Sequence, residues 1–143
     1  MSRSLAQWLA YQQGTHSLTI DLSLERVREV AARLGLLDKR CPVVTVAGTN
    51  GKGSIATTLA ALLHACGQSV GLFTSPHLVR YNERIQVNGV EVSDAALLAA
   101  FERIEAALGA VTLTFFEYNT LAALEVFRSA SVRWAQSSRT SGD

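Results

Sequence analysis

A glycine-rich stretch, Gly48-Thr49-Asn50-Gly51-Lys52-Gly53-Ser54, carries the residue types and spacing that most directly suggest chemistry. Its glycines let the backbone approach a ligand closely, because they have no Cβ. Backbone N–H groups at the start of a helix, together with the helix dipole, favour bound phosphate. Lys52 adds a cation that can reach the β- and γ-phosphates of a nucleotide. The stretch therefore predicts a nucleotide phosphate site with Lys52 as its catalytic cation.

This stretch departs from the phosphate-loop pattern G-x-x-x-x-G-K-[ST] at two positions. Val46 stands where the first glycine belongs, and Gly53 stands where the hydroxyl residue that binds Mg²⁺ belongs. Ser54 follows one place later, so its hydroxyl is displaced from the usual metal position. Ser75, at the end of the next predicted strand, is a candidate to supply the missing oxygen. The alternative is a glycine-rich turn with a solvent-facing lysine, which the strand–loop–helix context disfavours.

The elements around the loop are predicted to form a βαβ unit. The β-branched run at residues 43–47 indicates a buried parallel strand. A helix is expected to run from the loop to about Cys66, and residues 69–73 form a second short apolar strand. A strand, helix and strand within about 30 residues should have a right-handed crossover. The predicted fold class is α/β: a P-loop NTPase-like three-layer domain with a mostly parallel sheet.

Helices and a hairpin account for most of the remaining sequence. Helices are predicted at residues 4–13, 24–34, 93–108 and 114–127. The first helix begins with Ser4 and Gln7, which have the spacing of a capping box. Asn88-Gly89 lies between two alternating runs and predicts a β-hairpin, because both turn residues need a positive φ.

The segment from residue 128 to 143 differs in composition from what precedes it. It contains five serines and three arginines, and Val132 and Trp134 are its only large apolar residues. A segment that cannot bury apolar surface tends to remain disordered. We therefore expect a folded part at residues 1–127, followed by a poorly ordered Ser/Arg-rich tail.

Composition excludes several classes of protein. The chain has 143 residues, of which 48% are apolar and 17% charged, as expected for about one globular domain. With 13 Lys+Arg against 12 Asp+Glu, it lacks the basic surplus of a nucleic-acid binder. Cys41 and Cys66 have neither disulfide-framework nor metal-ligand spacing, which favours a reducing compartment. Neither a secretory leader nor a bilayer-spanning apolar run is recognisable, so we expect a cytoplasmic protein that binds no membrane.

Four motifs in order resemble the dihydrofolate synthase/folylpolyglutamate synthase family of the Mur ligase superfamily. They are residues 46–54, Thr74-Ser75-Pro76-His77-Leu78, Tyr81-Asn82-Glu83-Arg84-Ile85, and Phe115-Phe116-Glu117-Tyr118. The resemblance covers roughly residues 5–127. It implies ATP and Mg²⁺ as cofactors, dihydropteroate or a folate and L-glutamate as small-molecule substrates, and a monomer for the full-length family. In the implied reaction, ATP phosphorylates a carboxylate, and the amino group of glutamate attacks the acyl phosphate.

The resemblance also implies roles for particular residues. Asn50, Gly51, Lys52 and Gly53 would wrap the ATP phosphates, within the cofactor-binding set Gly48, Thr49, Asn50, Gly51, Lys52, Gly53 and Ser54. Ser75 would be a magnesium ligand. Two segments would contact the pterin: Ile20, Asp21, Leu22 and Ser23, and Thr114, Phe115, Phe116 and Glu117. Local structure explains the same residues without a ligand, through helix caps at both segments and core packing of the two phenylalanines. Both interpretations stay open at this point.

The sequence departs from the family after residue 127. The family continues with a buried strand and a Glu-Val-Gly-x-Gly-Gly-Arg-x-Asp motif whose glutamate binds magnesium, and later with a glutamate-binding domain. None of these is recognisable in this sequence. We therefore expect an incomplete copy that lacks the central strand of its sheet, exposes a sheet edge, and has little or no ligase activity alone. The alternatives are a nucleotide-binding module without catalysis and a cell-wall Mur-type amino-acid ligase.

Overall fold

The structure, a computed structural model, describes residues 3–14, 24–38 and 41–139. The chain divides into two compact units. The helical unit comprises Met1–Asp38 and Asp94–Val126, and the sheet unit comprises Lys39–Ser93 and Phe127–Asp143. The α/β class is confirmed, with a mixed sheet. In the described ranges, no helix has the length and apolar character needed to cross a membrane.

The described residues form five α-helices and five β-strands. The helices are α1 (Leu5–Gly14), α2 (Glu25–Arg33), α3 (Lys52–Ala65), α4 (Asp94–Leu108) and α5 (Phe115–Ser129). The strands are β1 (Val43–Ala47), β2 (Val70–Phe73), β3 (Ile85–Val87), β4 (Val90–Glu91) and β5 (Trp134–Arg139). A short 3₁₀ helix, Tyr81–Arg84, precedes β3. The helices and strands predicted before residue 129 are all present, with small shifts at their ends.

The helical unit is held by helix caps and aromatic packing. The predicted capping box at α1 is confirmed, because the Ser4 N–H donates to Gln7 Oε1 (2.8 Å) and the Gln7 N–H donates to Ser4 Oγ (3.3 Å). Trp8 packs on Phe101 of α4, with ring centroids 5.8 Å apart. The Arg33 guanidinium at the end of α2 donates to the last carbonyls of α4, where a cation is favoured by the helix dipole.

The sheet unit contains one five-stranded sheet in the order β1-β5-β2-β3-β4. β1, β5 and β2 are parallel, and β3 and β4 add an antiparallel hairpin. The predicted turn is confirmed, since Asn88 and Gly89 have φ of 52° and 78°. Gly71 of β2 allows a close approach, because a Cβ there would lie 2.4 Å from the Phe127 ring. Helix α3 contacts all three parallel strands.

β5 corrects the expectation of a poorly ordered tail and of a missing central strand. It lies between β1 and β2, and Ala135 is in register with Val43 on one side and Gly71 on the other. A strand with neighbours on both sides satisfies its backbone N–H and C=O groups whatever its side chains are. Pairing therefore makes a strand of a segment whose Ser and Arg content predicted disorder.

The polar composition of β5 has a local cost. Gln136 is 1% exposed, and among the described residues neither atom of its amide has a hydrogen-bond partner. An unpartnered buried amide is destabilising.

β1 pairs with β5 on one side only and forms one edge of the described sheet, and its Val43 is 60% exposed. The sheet thus has a filled centre and an exposed edge.

Candidate functional site

The glycine-rich stretch forms the turn between β1 and α3. Gly51 is the N-cap of α3 and has a φ of 74°. In this left-handed conformation a residue with a Cβ would be strained. No side-chain oxygen caps this helix. The first N–H groups of any α-helix have no acceptor within the helix. In α3 these donors are therefore left to water or to a ligand at the carboxyl end of β1.

Lys52 bends back over the loop from which its helix starts. Its Nζ donates to the carbonyl oxygens of Gly48 (2.6 Å) and Thr49 (3.2 Å), and the residue is half-buried. The Lys52 ammonium is therefore turned back onto the loop, while its two hydrogen bonds lie exposed to solvent. An ammonium at this place puts a positive charge beside the N–H groups that begin α3, and both attract anions.

Two hydroxyls compete for the role of metal ligand. Ser54 lies in the first turn of α3 and is exposed, and Ser75 follows β2 and is half-buried. Parallel strands end at the same edge of a sheet, so Ser75 and the phosphate loop share that edge. β5 separates β1 from β2, which puts the two strands about 10 Å apart.

Residues 75–84, here called the anchored loop, follow β2. The Glu83 carboxylate accepts hydrogen bonds from three successive backbone N–H groups, those of Leu78 (2.9 Å), Val79 (2.9 Å) and Arg80 (2.6 Å). These bonds, that from Arg80 above all, hold the pKa of the Glu83 carboxyl below its ordinary value, because they favour the ionised form. The Glu83 carboxylate thus occupies the place where the three N–H groups of this turn could otherwise bind an external anion.

The base of the anchored loop is closed by Arg84. Its carbonyl accepts the N–H of Thr74 (2.9 Å), and its Nε donates to Nδ1 of His77 (2.7 Å). The Arg84 guanidinium also lies 5.9 Å from the centroid of the Tyr81 ring, and burial raises the pKa of the Tyr81 phenol.

The second predicted pterin segment begins α5 in the helical unit. Thr114 and Glu117 form a capping box, with the Thr114 N–H on Glu117 Oε2 (2.8 Å) and the Glu117 N–H on Thr114 Oγ1 (3.2 Å). Arg26 Nη2 lies 3.0 Å from Glu117 Oε1. Phe115 and Phe116 are half-buried. The helix-cap interpretation of Thr114 and Glu117 is therefore confirmed, which leaves their contact with a ligand an additional role.

The first predicted pterin segment, Ile20, Asp21, Leu22 and Ser23, lies outside the described residues. Across residues 3–14, 24–38 and 41–139, no three His, Cys, Asp or Glu side chains are grouped closely enough to hold a metal ion. Mg²⁺ is commonly bound through substrate phosphates and water with one or two protein oxygens. Binding of that kind needs only one or two protein oxygens, and Ser75 stays the predicted source of one.

Two contacts were not found by sequence reasoning. Glu83 accepts from residues three to five places earlier, and the position with capping-box spacing holds Arg80 rather than Ser or Thr. Arg26 and Glu117 are 91 positions apart, so no local pattern joins them. Only the spacing of Glu83 from Arg80 carried a usable signal.

No protein-family model matches the chain. The curated dihydrofolate synthase/folylpolyglutamate synthase of Escherichia coli (strain K12) is 54% identical over 128 residues, which cover 90% of this chain and 30% of that protein. The solved structure of E. coli FolC in complex with DHPP and ADP matches 96% of this chain and 33% of its own, with a TM-score of 0.92 and 50% identity.

A third comparison is with the bifunctional folylpolyglutamate synthase/dihydrofolate synthase from Yersinia pestis, complexed with AMPPNP and a Mn ion. It covers 96% of this chain and 33% of its own, with a TM-score of 0.90 and 46% identity. Sequence and structure therefore agree on the same relatives. Over 90% of its length the chain is similar to dihydrofolate synthase/folylpolyglutamate synthases, and it spans about 30% of the length of the curated relatives it matches.

Proposed function

We propose that this chain supplies the nucleotide-binding part of an ATP-dependent ligase that joins L-glutamate to dihydropteroate or to a folate. The observation that carries the proposal is the start of α3, which has a left-handed Gly51, no side-chain cap, and Lys52 over the loop. Such a helix start binds anions. The similar FolC and Yersinia pestis structures hold ADP and AMPPNP.

We assign the phosphates to the N–H groups that begin α3 and to the Lys52 ammonium. Ser75 would contribute the protein oxygen to Mg²⁺, which neutralises phosphate charge when it is bound. Phosphoryl transfer depends mostly on positioning and on stabilising charge. A substrate carboxylate would attack the γ-phosphorus and release ADP. The amine of glutamate would then attack the acyl carbon, form the amide and release phosphate.

The pterin would contact the segments at Ile20, Asp21, Leu22 and Ser23 and at Thr114, Phe115, Phe116 and Glu117. Support comes from the half-buried Phe115 and Phe116, since an aromatic face can stack on a flat heterocycle. The sequence predicted the N-terminal part of a Mur ligase-type ATP-binding domain over residues 1–127, and in this proposal β5 extends it to Arg139. The two free cysteines and the charge of +1 support a cytoplasmic protein that binds neither nucleic acid nor membrane.

A second candidate is a nucleotide-binding module without catalysis. It rests on the same helix start, since an uncapped start of α3 with Lys52 beside it binds phosphate whether or not a reaction follows. This module would bind ATP through the same loop and would not turn it over. A cell-wall Mur-type ligase is less supported, because the relatives reported above act on folates by name.

ADP release distinguishes these functions. The purified chain is given Mg²⁺, ATP, dihydropteroate and L-glutamate, and ATP binding is measured in parallel. Release that needs both dihydropteroate and glutamate supports the ligase, and release that needs a UDP-linked sugar peptide supports the cell-wall alternative. ATP binding without release supports the module. Absence of ATP binding by the folded chain overturns all three.

Lys52→Ala is the decisive variant. Loss of a charge-assisted contact to phosphate is expected to weaken ATP binding by about tenfold or more. Thr58→Ala is the matched control, since its exposed hydroxyl lies in the same helix but beyond the phosphate loop. Ser75→Ala should weaken binding only when Mg²⁺ is present. Equal binding by Lys52→Ala and the unaltered chain would remove the phosphate loop from the proposal.

A further inference from the structure

The tip of the anchored loop has little apolar burial to hold it. Leu78 and Val79 are 91% and 85% exposed. Their backbone N–H groups, with that of Arg80, converge on the Glu83 carboxylate. Because three donors share one ionised acceptor, the turn is held by charge-assisted hydrogen bonds, which are stronger than neutral ones. The conformation of the tip therefore depends mainly on Glu83.

The same loop begins at the residue assigned to the metal. Ser75 directly follows Thr74, whose N–H is bonded to the Arg84 carbonyl, one residue after Glu83. At the same end of the loop, Arg84 Nε is bonded to His77 Nδ1. Ser75 thus lies between Thr74 and His77, the two residues that Arg84 contacts. The backbone from Leu78 to Glu83 forms the rest of the loop. The tip and Ser75 thus belong to one loop whose two ends are joined through Arg84.

We propose that Glu83 is a positioning residue for metal-bound nucleotide: by anchoring Leu78, Val79 and Arg80 it fixes the loop that presents the Ser75 hydroxyl at the end of β2. The inference rests on the proposed function and adds to it a residue that touches neither phosphate nor metal. The phosphate loop lies on another strand, β1, so its contacts with the nucleotide do not depend on Glu83.

The test compares ATP binding with and without metal. Isothermal titration of the chain with ATP is run in Mg²⁺ and again in EDTA, for the unaltered protein, Glu83→Ala and Glu83→Gln. Glutamine keeps one acceptor oxygen and so should retain part of the anchor, which makes it an intermediate variant. Glu91→Gln is the matched control, because Glu91 is the ion partner of Arg80 (4.0 Å) and bonds to no backbone of the loop tip.

A positioning role predicts a selective effect. Glu83→Ala should weaken binding about tenfold in Mg²⁺ and leave binding in EDTA within about twofold, because charge-assisted contacts to one group are lost. Glu83→Gln should fall between Glu83→Ala and the unaltered chain, and Glu91→Gln should match the latter. Binding in EDTA also reports that each variant is folded around its phosphate loop.

Other outcomes overturn the inference in distinguishable ways. An equal loss in both arms would make Glu83 merely structural, and no loss in either arm would make it irrelevant to the metal. If the unaltered chain binds ATP equally well in Mg²⁺ and EDTA, metal-dependent binding and its positioning residue are both wrong. If it binds ATP in neither arm, the proposed function fails, and this inference fails with it.

Discussion

Two helix starts in this chain solve the same backbone problem in opposite ways. α5 begins with a capping box, in which Glu117 accepts the Thr114 N–H and pairs with Arg26. α3 begins at Gly51 with no side-chain cap. Since the first N–H groups of a helix always lack internal acceptors, one start is closed by the protein and the other is left open. The start without a cap, that of α3, is the one that carries a lysine, Lys52, beside its N–H groups.

The anchored loop supports the same distinction. There, three N–H groups converge as they would on a phosphate, and the Glu83 carboxylate accepts all of them. Where the chain itself supplies a carboxylate, the cluster of N–H groups is part of the structure. Where the chain supplies none, the N–H groups are available to a ligand. Altering a closed cluster should therefore change stability, and should change binding only through the part of the chain that the cluster holds in place. Altering the open cluster should change binding directly.

The largest effect on stability is expected at the closed start of α5. Glu117→Ala removes the acceptor of the Thr114 N–H and leaves Arg26, whose side chain is 20% exposed, without this carboxylate. Breaking one side of a largely buried ion pair should lower the free energy of unfolding by about 3 kcal/mol. Urea unfolding measures it. Thr114→Ala, which keeps the ion pair, should cost about 1 kcal/mol. A similar cost for both variants would contradict a closed start built around Glu117.

A smaller effect is expected at the open start of α3. Gly51→Ala and Gly53→Ala both place a methyl group where no atom lies within 4 Å, but only Gly51 has a positive φ. Gly51→Ala should lower the free energy of unfolding by about 1–2 kcal/mol from backbone strain. Gly53→Ala should raise it by up to about 1 kcal/mol, because alanine favours a helix. Thermal unfolding of the pair checks this; equal shifts would mean that φ at Gly51 is not what shapes the loop.

The smallest effect is expected from the pH dependence of the anchored loop, because the Glu83 side chain is only half-buried and water screens its charge. Its pKa is lower in the folded chain than the ordinary value of 4.5, so its contribution to stability is present above pH 4.5 and is lost as the pH falls through the folded value. The difference in melting temperature between the unaltered chain and Glu83→Gln should be constant near neutral pH and vanish in acid. A difference that persists in acid would exclude the ionised carboxylate as its source.

Local patterns predicted what neighbouring residues determine. The βαβ unit, the hairpin at Asn88-Gly89 and both capping boxes follow from spacing within a few residues, and the structure contains them. The glycine-rich stretch also identified the open start of α3, because φ at Gly51 and the absence of a capping side chain are local properties.

Contacts between distant residues were not predictable in the same way. β5 has the composition of a loop, and it is a strand because β1 and β2 pair with both of its sides. Arg26 and Glu117 gave no signal for the same reason, since 91 positions separate them. Glu83 is closer to its partners, but an arginine occupies the place where a capping hydroxyl would have identified the turn.

The position of β5 also sets an order of assembly. β1 and β2 are complete by Phe73, yet in the described sheet each pairs with β5, which starts at Trp134, and they do not pair with each other. Ser137 and its contact Thr45 are 92 positions apart, and contacts of such long range make folding slow. During synthesis, β1 is therefore complete about 90 residues before β5, its neighbour in the sheet, leaves the ribosome.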